Sequence, residues 1–338
     1  MKRVTLCKLV VISLTLSVIF TTTHAATTPS APTPTQTEKE KKFEAFVATL
    51  QKAARKDGIS EKTIQKYLTG LQAPREQALY DIKHQAQEEL TFSQYVKNFV
   101  PQSSIRKGRE YMQQYRDLLL AIQKKYQVQP QFILALWGAE TEYGSDIGKA
   151  PMIQSLVTLA FQHHRSDFYR RQVMSGLKIL DHQHIPQEAF STWDGGMGQP
   201  SFEPYIYLNY AVDFDGDGFK NIWTSIPDVF ASIANFLHKN GWNGQQTWGM
   251  EVTIPNNLST SLVGVNKKLS IAQWQSLGVR PLQAGNLPNI QSSASLLLPD
   301  GQKGRAFLVF HNFDVLLRWN NSQFEGLSVG LLANQISQ

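Results

Sequence analysis

The stretch from Gln131 to Gly144, QFILALWGAETEYG, constrains this chain more than any other. Pro130 precedes it, and proline suits the first turn of a helix. Ile133, Leu136, Trp137 and Glu140 recur three or four positions apart, which predicts one shared face on a 3.6-residue period. That face is apolar except for Glu140. A carboxyl group in an apolar stripe is costly to ionise, so its pKa should rise. An acid still protonated near neutral pH is what general-acid catalysis needs. The same pattern also describes a helix whose glutamate pairs with a buried arginine, and this stretch alone leaves the two readings level. Glu142 lies about 200° further round the helix and points elsewhere. Gly138 leaves room for close backbone or ligand approach beside the glutamate.

The ends of the chain bear on where such an acid would work. Met1 to Ala25 has the layout of a secretory signal peptide: Lys2 and Arg3, an apolar run from Leu9 to Phe20, then Thr23-His24-Ala25 as a small-residue cleavage site. Export by a cleaved signal is therefore expected. Removing Lys2, Arg3 and Lys8, with no acid lost, lowers the net charge of +6 to +3. So mild a balance does not point to nucleic acid and suits an anionic polymer such as cell wall only weakly. The sole cysteine, Cys7, lies inside the signal, too early for a lipid-attachment site, so a lipoprotein is not expected. A mature chain without thiols has no disulfide, no cysteine-based zinc site and no cysteine nucleophile.

Residues 26–41 are rich in Thr and Pro and read as a disordered linker. A helical region with a core is expected over 42–247, a small β subdomain over 248–310, and helices returning to the core over 311–338. Phe43, Phe46, Val47 and Leu50 make one helical stripe, and Ser60 is the N-cap of the next helix. Helical periodicity continues over 90–100 and 105–126, with Arg106, Lys107, Arg109 and Arg116 on a basic, solvated face. Two further helices are predicted over 152–161 and 167–180. His163, His164, His182 and His184 lack a metal-ligand spacing.

The run from Thr192 to Pro204, TWDGGMGQPSFEP, has neither helical nor strand period. Its glycines predict a loop whose backbone approaches something closely, and Trp193 and Phe202 could stack on sugar rings. Asp213-Phe214-Asp215-Gly216-Asp217-Gly218-Phe219 has the alternating carboxylates and sixth-position glycine of a calcium loop. Asp213, Asp215 and Asp217, the Phe219 carbonyl and Asp228 are the candidate ligands of a structural Ca2+, because Thr224 stands where the bidentate Glu is usual. A helix is expected from Asp228 to Asn240, ended by Gly241. Strands follow over 250–254, 294–298 and 306–310, with a turn at Pro299-Asp300-Gly301. A short helix is expected over 271–277, and two more over 313–319 and 324–336.

Taken together, four ordered stretches resemble the lytic murein transglycosylase B family of bacterial periplasmic enzymes: Trp137–Gly144, Trp193–Gln199, Asp213–Gly218 and Arg318–Ser322. The resemblance covers roughly residues 43–333. It implies a mainly α (α+β) chain: a lysozyme-like helical catalytic core, an N-terminal helical region and a small β subdomain. It also implies cleavage of the β-1,4 bond between N-acetylmuramic acid and N-acetylglucosamine, leaving a 1,6-anhydromuramic end, with Glu140 as the single acid/base and no cofactor for the chemistry. One carboxyl suffices if the sugar's own C6 hydroxyl replaces water. With Asp194 or Glu142 as a second carboxylate, ordinary muramidase hydrolysis would result.

Thr192 and Asn320 match a family Ser and Asn near the transition state, and Trp319 stands where a Tyr is common. The loop departs at Ser201 and Glu203, where the family has a sugar-anchoring Gln and a Met. That departure leaves open a catalytically weak, murein-binding scaffold. Thr192, Trp193, Gln199, Ser201, Phe202, Trp319 and Asn320 are the candidate substrate contacts. The expected partners are peptidoglycan strands, with cell-wall synthesis proteins as candidate protein partners, no nucleic acid and a monomeric state.

Overall fold

Helix begins where the linker was expected to continue. A computed structural model describes residues 37–73, 90–162, 165–182, 190–283, 286–287 and 293–338. The expected signal segment, most of the linker, His163, His164 and His184 lie outside the described residues. Thr37 accepts from the amide of Glu40, whose carboxylate accepts from Thr37 N, so helix α1 starts at once and spans Glu38–Lys56. The linker reading therefore runs four residues too far. Ser60 caps α2, Glu61–Leu68, as its position predicts. The next stretch is α3, Phe92–Phe99, then α4, Gln102–Gln114, and α5, Arg116–Tyr126. The single helix expected over 105–126 is thus broken at Tyr115. Tyr111, Met112, Tyr115, Leu118 and Leu119 keep helical spacing across the break, which hides it from a periodicity count.

The central helix is α6, Pro130–Thr141, with proline in its first turn. It is buried on every side from Phe132 through Gly138, not along one stripe. Helices α4, α5, α10 and α13 surround it, as befits a helix that is hydrophobic all round. Then come β1, Ala150–Pro151; α7, Met152–Gln162; α8, Ser166–His182; β2, Phe190–Ser191; α9, Pro204–Tyr210; and α10, Ile226–Lys239. The two short strands pair antiparallel and stand at the entrance of the glycine-rich loop.

The chain then builds β3, Gly249–Thr253; β4, Lys268–Ser270; α11, Ile271–Ser276; β5, Arg280–Pro281; β6, Ser293–Leu297; and β7, Ala306–Val309. It returns to the helices as α12, His311–Trp319, and α13, Gln323–Ile336. The sheet is antiparallel, in the order β4-β6-β7-β3-β5. Two of its strands, β4 and β5, are too short to show a period in sequence. Along β7, Ala306 and Leu308 face a small core around Trp274, whereas Phe307 and Val309 face the main helical core. The sheet is thus a wall shared by two cores, so β7 reads as an unbroken apolar run. Among the described residues no helix is long and apolar enough to cross a membrane.

Candidate active site

Glu140 lies in the last turn of α6, where α12 and α13 pass. The Nε1 of Trp319, from the end of α12, donates to Glu140 Oε1 at 2.6 Å. A second carboxyl faces it: Glu325, in the first turn of α13, is hydrogen-bonded to Glu140. The Nδ2 of Asn320 donates to Glu325 Oε2 at 2.5 Å. Burial pushes the Glu140 carboxyl well above the usual range, and the charges of Glu325 and Asp194 push it further; the Trp319 bond opposes them. Burial raises Glu325 as well, against the bonds from Asn320 and Glu140. Among the described residues no arginine pairs with Glu140, so the structural reading left open by the sequence has no partner here.

Gly138 has a different role from the one expected. A Cβ there would lie 2.6 Å from the Tyr143 ring, so the space beside the glutamate is filled by protein, not by ligand. Glu142 has left-handed φ of 50° at the helix end and is exposed.

The loop after β2 folds mainly on itself. A Cβ on Gly195, whose φ is 94°, would lie 2.3 Å from Leu156, and one on Gly198, φ 63°, would lie 2.6 Å from the Ile222 carbonyl. The close approach inferred from the glycines is therefore to the chain's own core. Thr192 Oγ1 accepts from Gly196 N at 3.0 Å and donates to Asp194 Oδ1. A Cβ on Gly196 would lie 2.3 Å from Ser201 Oγ and 2.8 Å from Thr192 Oγ1, so the two hydroxyls flank that glycine. Trp193 is 41% exposed and keeps a free face.

Two expected substrate contacts are instead internal. Phe202 is 2% exposed and packs on Trp319 and Phe236, which leaves no ring face for a sugar. Gln199 is buried: its Oε1 accepts from Trp137 Nε1 at 2.7 Å and its Nε2 donates to the Trp223 carbonyl at 2.8 Å. It ties the loop to α6. Glu203, where a charge was expected, accepts from Gln172 Nε2 at 2.9 Å. Burial, aided by Asp194, pushes its carboxyl up to about 7, so much of that charge is lost near neutral pH.

In the acidic loop, carboxylate oxygens of Asp213, Asp215 and Asp217 lie within 4.8 Å of one another, a spacing that a hard cation could bridge. Asp228 does not join them. It is fully buried and spends one oxygen on Phe214 N and the other on Asn221 N, each at 2.7 Å. It is a strap that holds both ends of the loop onto α10, outside the carboxylate cluster. Phe219 gives its amide to Asp217 Oδ1, and its side chain is exposed.

Residues 42–334 match the family described as "Transglycosylase SLT domain". The chain belongs to that family. It is 30% identical over 250 residues to the membrane-bound lytic murein transglycosylase B of Escherichia coli, a match covering 72% of this chain and 66% of that protein, just under two thirds of its length. The fold is similar to that of SltB3 from Pseudomonas aeruginosa, solved in complex with NAG-anhNAM-pentapeptide. The TM-score is 0.81 and the identity 36%, covering 87% of this chain and 79% of that one. It is also similar to the lytic transglycosylase SLT35 of Escherichia coli in complex with calcium, with a TM-score of 0.74 and 26% identity, covering 88% and 92%. This chain is mostly helical with a small sheet, as the resemblance in its motifs implied.

Within this transglycosylase fold the residue that sequence reasoning missed is Glu325. Ser322-Gln323-Phe324-Glu325 reads as a capping box, in which the glutamate serves only its own helix. Ser322 does cap α13 by accepting from Glu325 N. The Glu325 carboxyl turns instead to Asn320 and Glu140. The one available signal was its position five residues after Asn320, which is itself a candidate for the site.

Proposed function

We propose that this chain is a peptidoglycan lytic transglycosylase that cleaves the β-1,4 bond between N-acetylmuramic acid and N-acetylglucosamine and leaves a 1,6-anhydromuramic end. The observation that carries the reading is the Glu140 carboxyl, held in its proton-bearing form by burial and by two neighbouring acids, at the meeting point of α6, α12 and α13. Glu140 gives its proton to the glycosidic oxygen as the C1–O bond breaks, and N-acetylglucosamine leaves with a free 4-hydroxyl. The C6 hydroxyl oxygen of the muramic residue then bonds to C1, and its proton goes to the Glu140 carboxylate. The enzyme ends as it began, and no water is consumed. Thr192 and Asn320 contact the sugar near the charged transition state, Trp193 and Trp319 offer ring faces, and Ser201 lines the loop. Gln199 and Phe202 support these groups from beneath.

The test is digestion of purified murein with mass spectrometry of the fragments. The expected products carry anhydro ends. Products heavier by one water would show a muramidase. Binding to sacculi with no soluble fragment released would show a murein-binding scaffold. The work place of such an enzyme is the periplasm, consistent with an exported chain whose leader is removed.

A structural Ca2+ held by Asp213, Asp215 and Asp217, with the Phe219 carbonyl, belongs to the same reading. Bringing three carboxylates together is unfavourable unless a cation sits among them. Calcium at about 100 times its dissociation constant would add about 2.7 kcal/mol of stability by mass action. Thermal melting with and without the ion checks this: a rise in Tm is expected, and no shift at millimolar calcium would refute the site.

A further inference from the structure

Two carboxyl groups that share a hydrogen bond inside a protein must hold at least one proton between them, because two buried carboxylates in contact repel one another. Glu140 and Glu325 are such a pair. They come from different helices, and each is gripped by its own donor: Trp319 Nε1 on Glu140 at 2.6 Å and Asn320 Nδ2 on Glu325 at 2.5 Å. Two adjacent residues of one segment thus orient the two acids toward each other. No salt bridge among the described residues neutralises either carboxyl.

We propose that Glu325 is a positioning residue that shares one proton with Glu140, keeping the acid loaded before the bond is cut and making its carboxylate a stronger base afterwards. The proposal rests on the reading of Glu140 as the acid/base. While the pair holds its proton, the Glu325 carboxylate accepts from the Glu140 hydroxyl and fixes where that proton points. When Glu140 protonates the glycosidic oxygen, both carboxyls become anionic, face to face. Their repulsion favours taking the proton of the C6 hydroxyl, and the pair again holds one proton. Protons balance over the cycle.

The groups that face Glu140 are Glu325 from α13, Trp319 from α12 and Asp194 from the loop, while Tyr95 from α3 feels both glutamates. Of the two like charges, Glu325 has the larger effect on Glu140 and Asp194 the smaller.

The experiment is the pH profile of kcat/KM on murein fragments for the wild type, Glu325→Gln and Glu325→Asp, with thermal melting of each. Glu325→Gln should keep substantial activity at acid pH and lose it earlier on the alkaline side. Its alkaline limb should move down by about one pH unit or more, about a tenfold loss at a pH above the limb. Glu325→Asp should restore part of that shift. Asp194→Asn should move the limb less than Glu325→Gln does. A 13C titration of the wild-type glutamate carboxyls, which needs no variant to fold, should find two groups whose protonation is mutually dependent.

An unchanged alkaline limb in folded Glu325→Gln would overturn the proposal. So would two carboxyls titrating independently. A folded Glu325→Gln inactive at every pH would overturn it too, because Glu325 would then act on the substrate itself. Failure of the underlying reading is separate: it would appear as activity surviving in Glu140→Gln.

Discussion

Glu140→Gln is expected to lower turnover of murein about 10³- to 10⁴-fold, the upper range for a single positioned acid, because one group performs both proton transfers. The amide can still accept from Trp319 Nε1, which now bonds the carboxyl at 2.6 Å, so the local geometry has reason to persist. Stability separates loss of chemistry from loss of fold. The folded pKa of Glu140 lies above its unfolded value of about 4.3. Between those two values the folded state binds the extra proton, so stability falls as pH rises through the window. The wild type therefore carries a cost above that window that the glutamine variant lacks. Glu140→Gln should melt no lower than the wild type at neutral to alkaline pH, with the difference shrinking toward pH 4. Appreciable residual turnover, or a collapsed melting curve, would remove Glu140 from its assigned part. A group held in an unfavourable environment for the sake of reactivity is the usual form of the stability–activity trade-off.

The second large effect is on stability and concerns Asp228. This side chain has no exposure and receives the amides of Phe214 and Asn221, one on each oxygen. Alanine would orphan two partly buried N–H groups, at about 1–3 kcal/mol each. Relief from burying a carboxylate offsets part of this. Asp228→Ala is expected to destabilise by about 3 kcal/mol and to lower Tm by about 6–9 °C. Asn should rescue only in part, because its NH2 would face one of the two donors. The calcium response should also weaken, although Asp228 lies outside the carboxylate cluster, because the loop loses its strap. An unchanged melting curve would refute this account.

The two readings of aspartate show how much the sequence could reveal. Asp213, Asp215 and Asp217 announce themselves through alternation, a local property, and the structure brings them together. Asp228 was placed with them because it was the nearest spare carboxylate. Only the fold discloses that it lies buried beneath the loop, outside the cluster. Phe202 and Gln199 failed for a similar reason. An aromatic ring or an amide in a glycine-rich loop looks the same in sequence whether it faces out or in, and here both face in. Glu140 was legible because a lone acid among apolar neighbours is rare, although α6 proved buried on all sides and not along one stripe. The long helices could be read from their period and caps. The two-residue strands and the break at Tyr115 could not, since the strands are too short to show a repeat and the break interrupts none. Glu325 was hidden by a rule that is usually right, the capping box.

The order in which the chain visits this site has a consequence for trimming and for synthesis. Glu140 is in place early, but Trp319, Asn320 and Glu325 arrive only after the whole sheet has been laid down, on α12 and α13. Any chain cut before His311 would keep the acid and lose everything that grips it, together with the helix that covers one flank of α6. The site is therefore complete only once α13 has packed onto α6 and α12 has carried Trp319 to Glu140, which ties its chemistry to the last-made part of the chain.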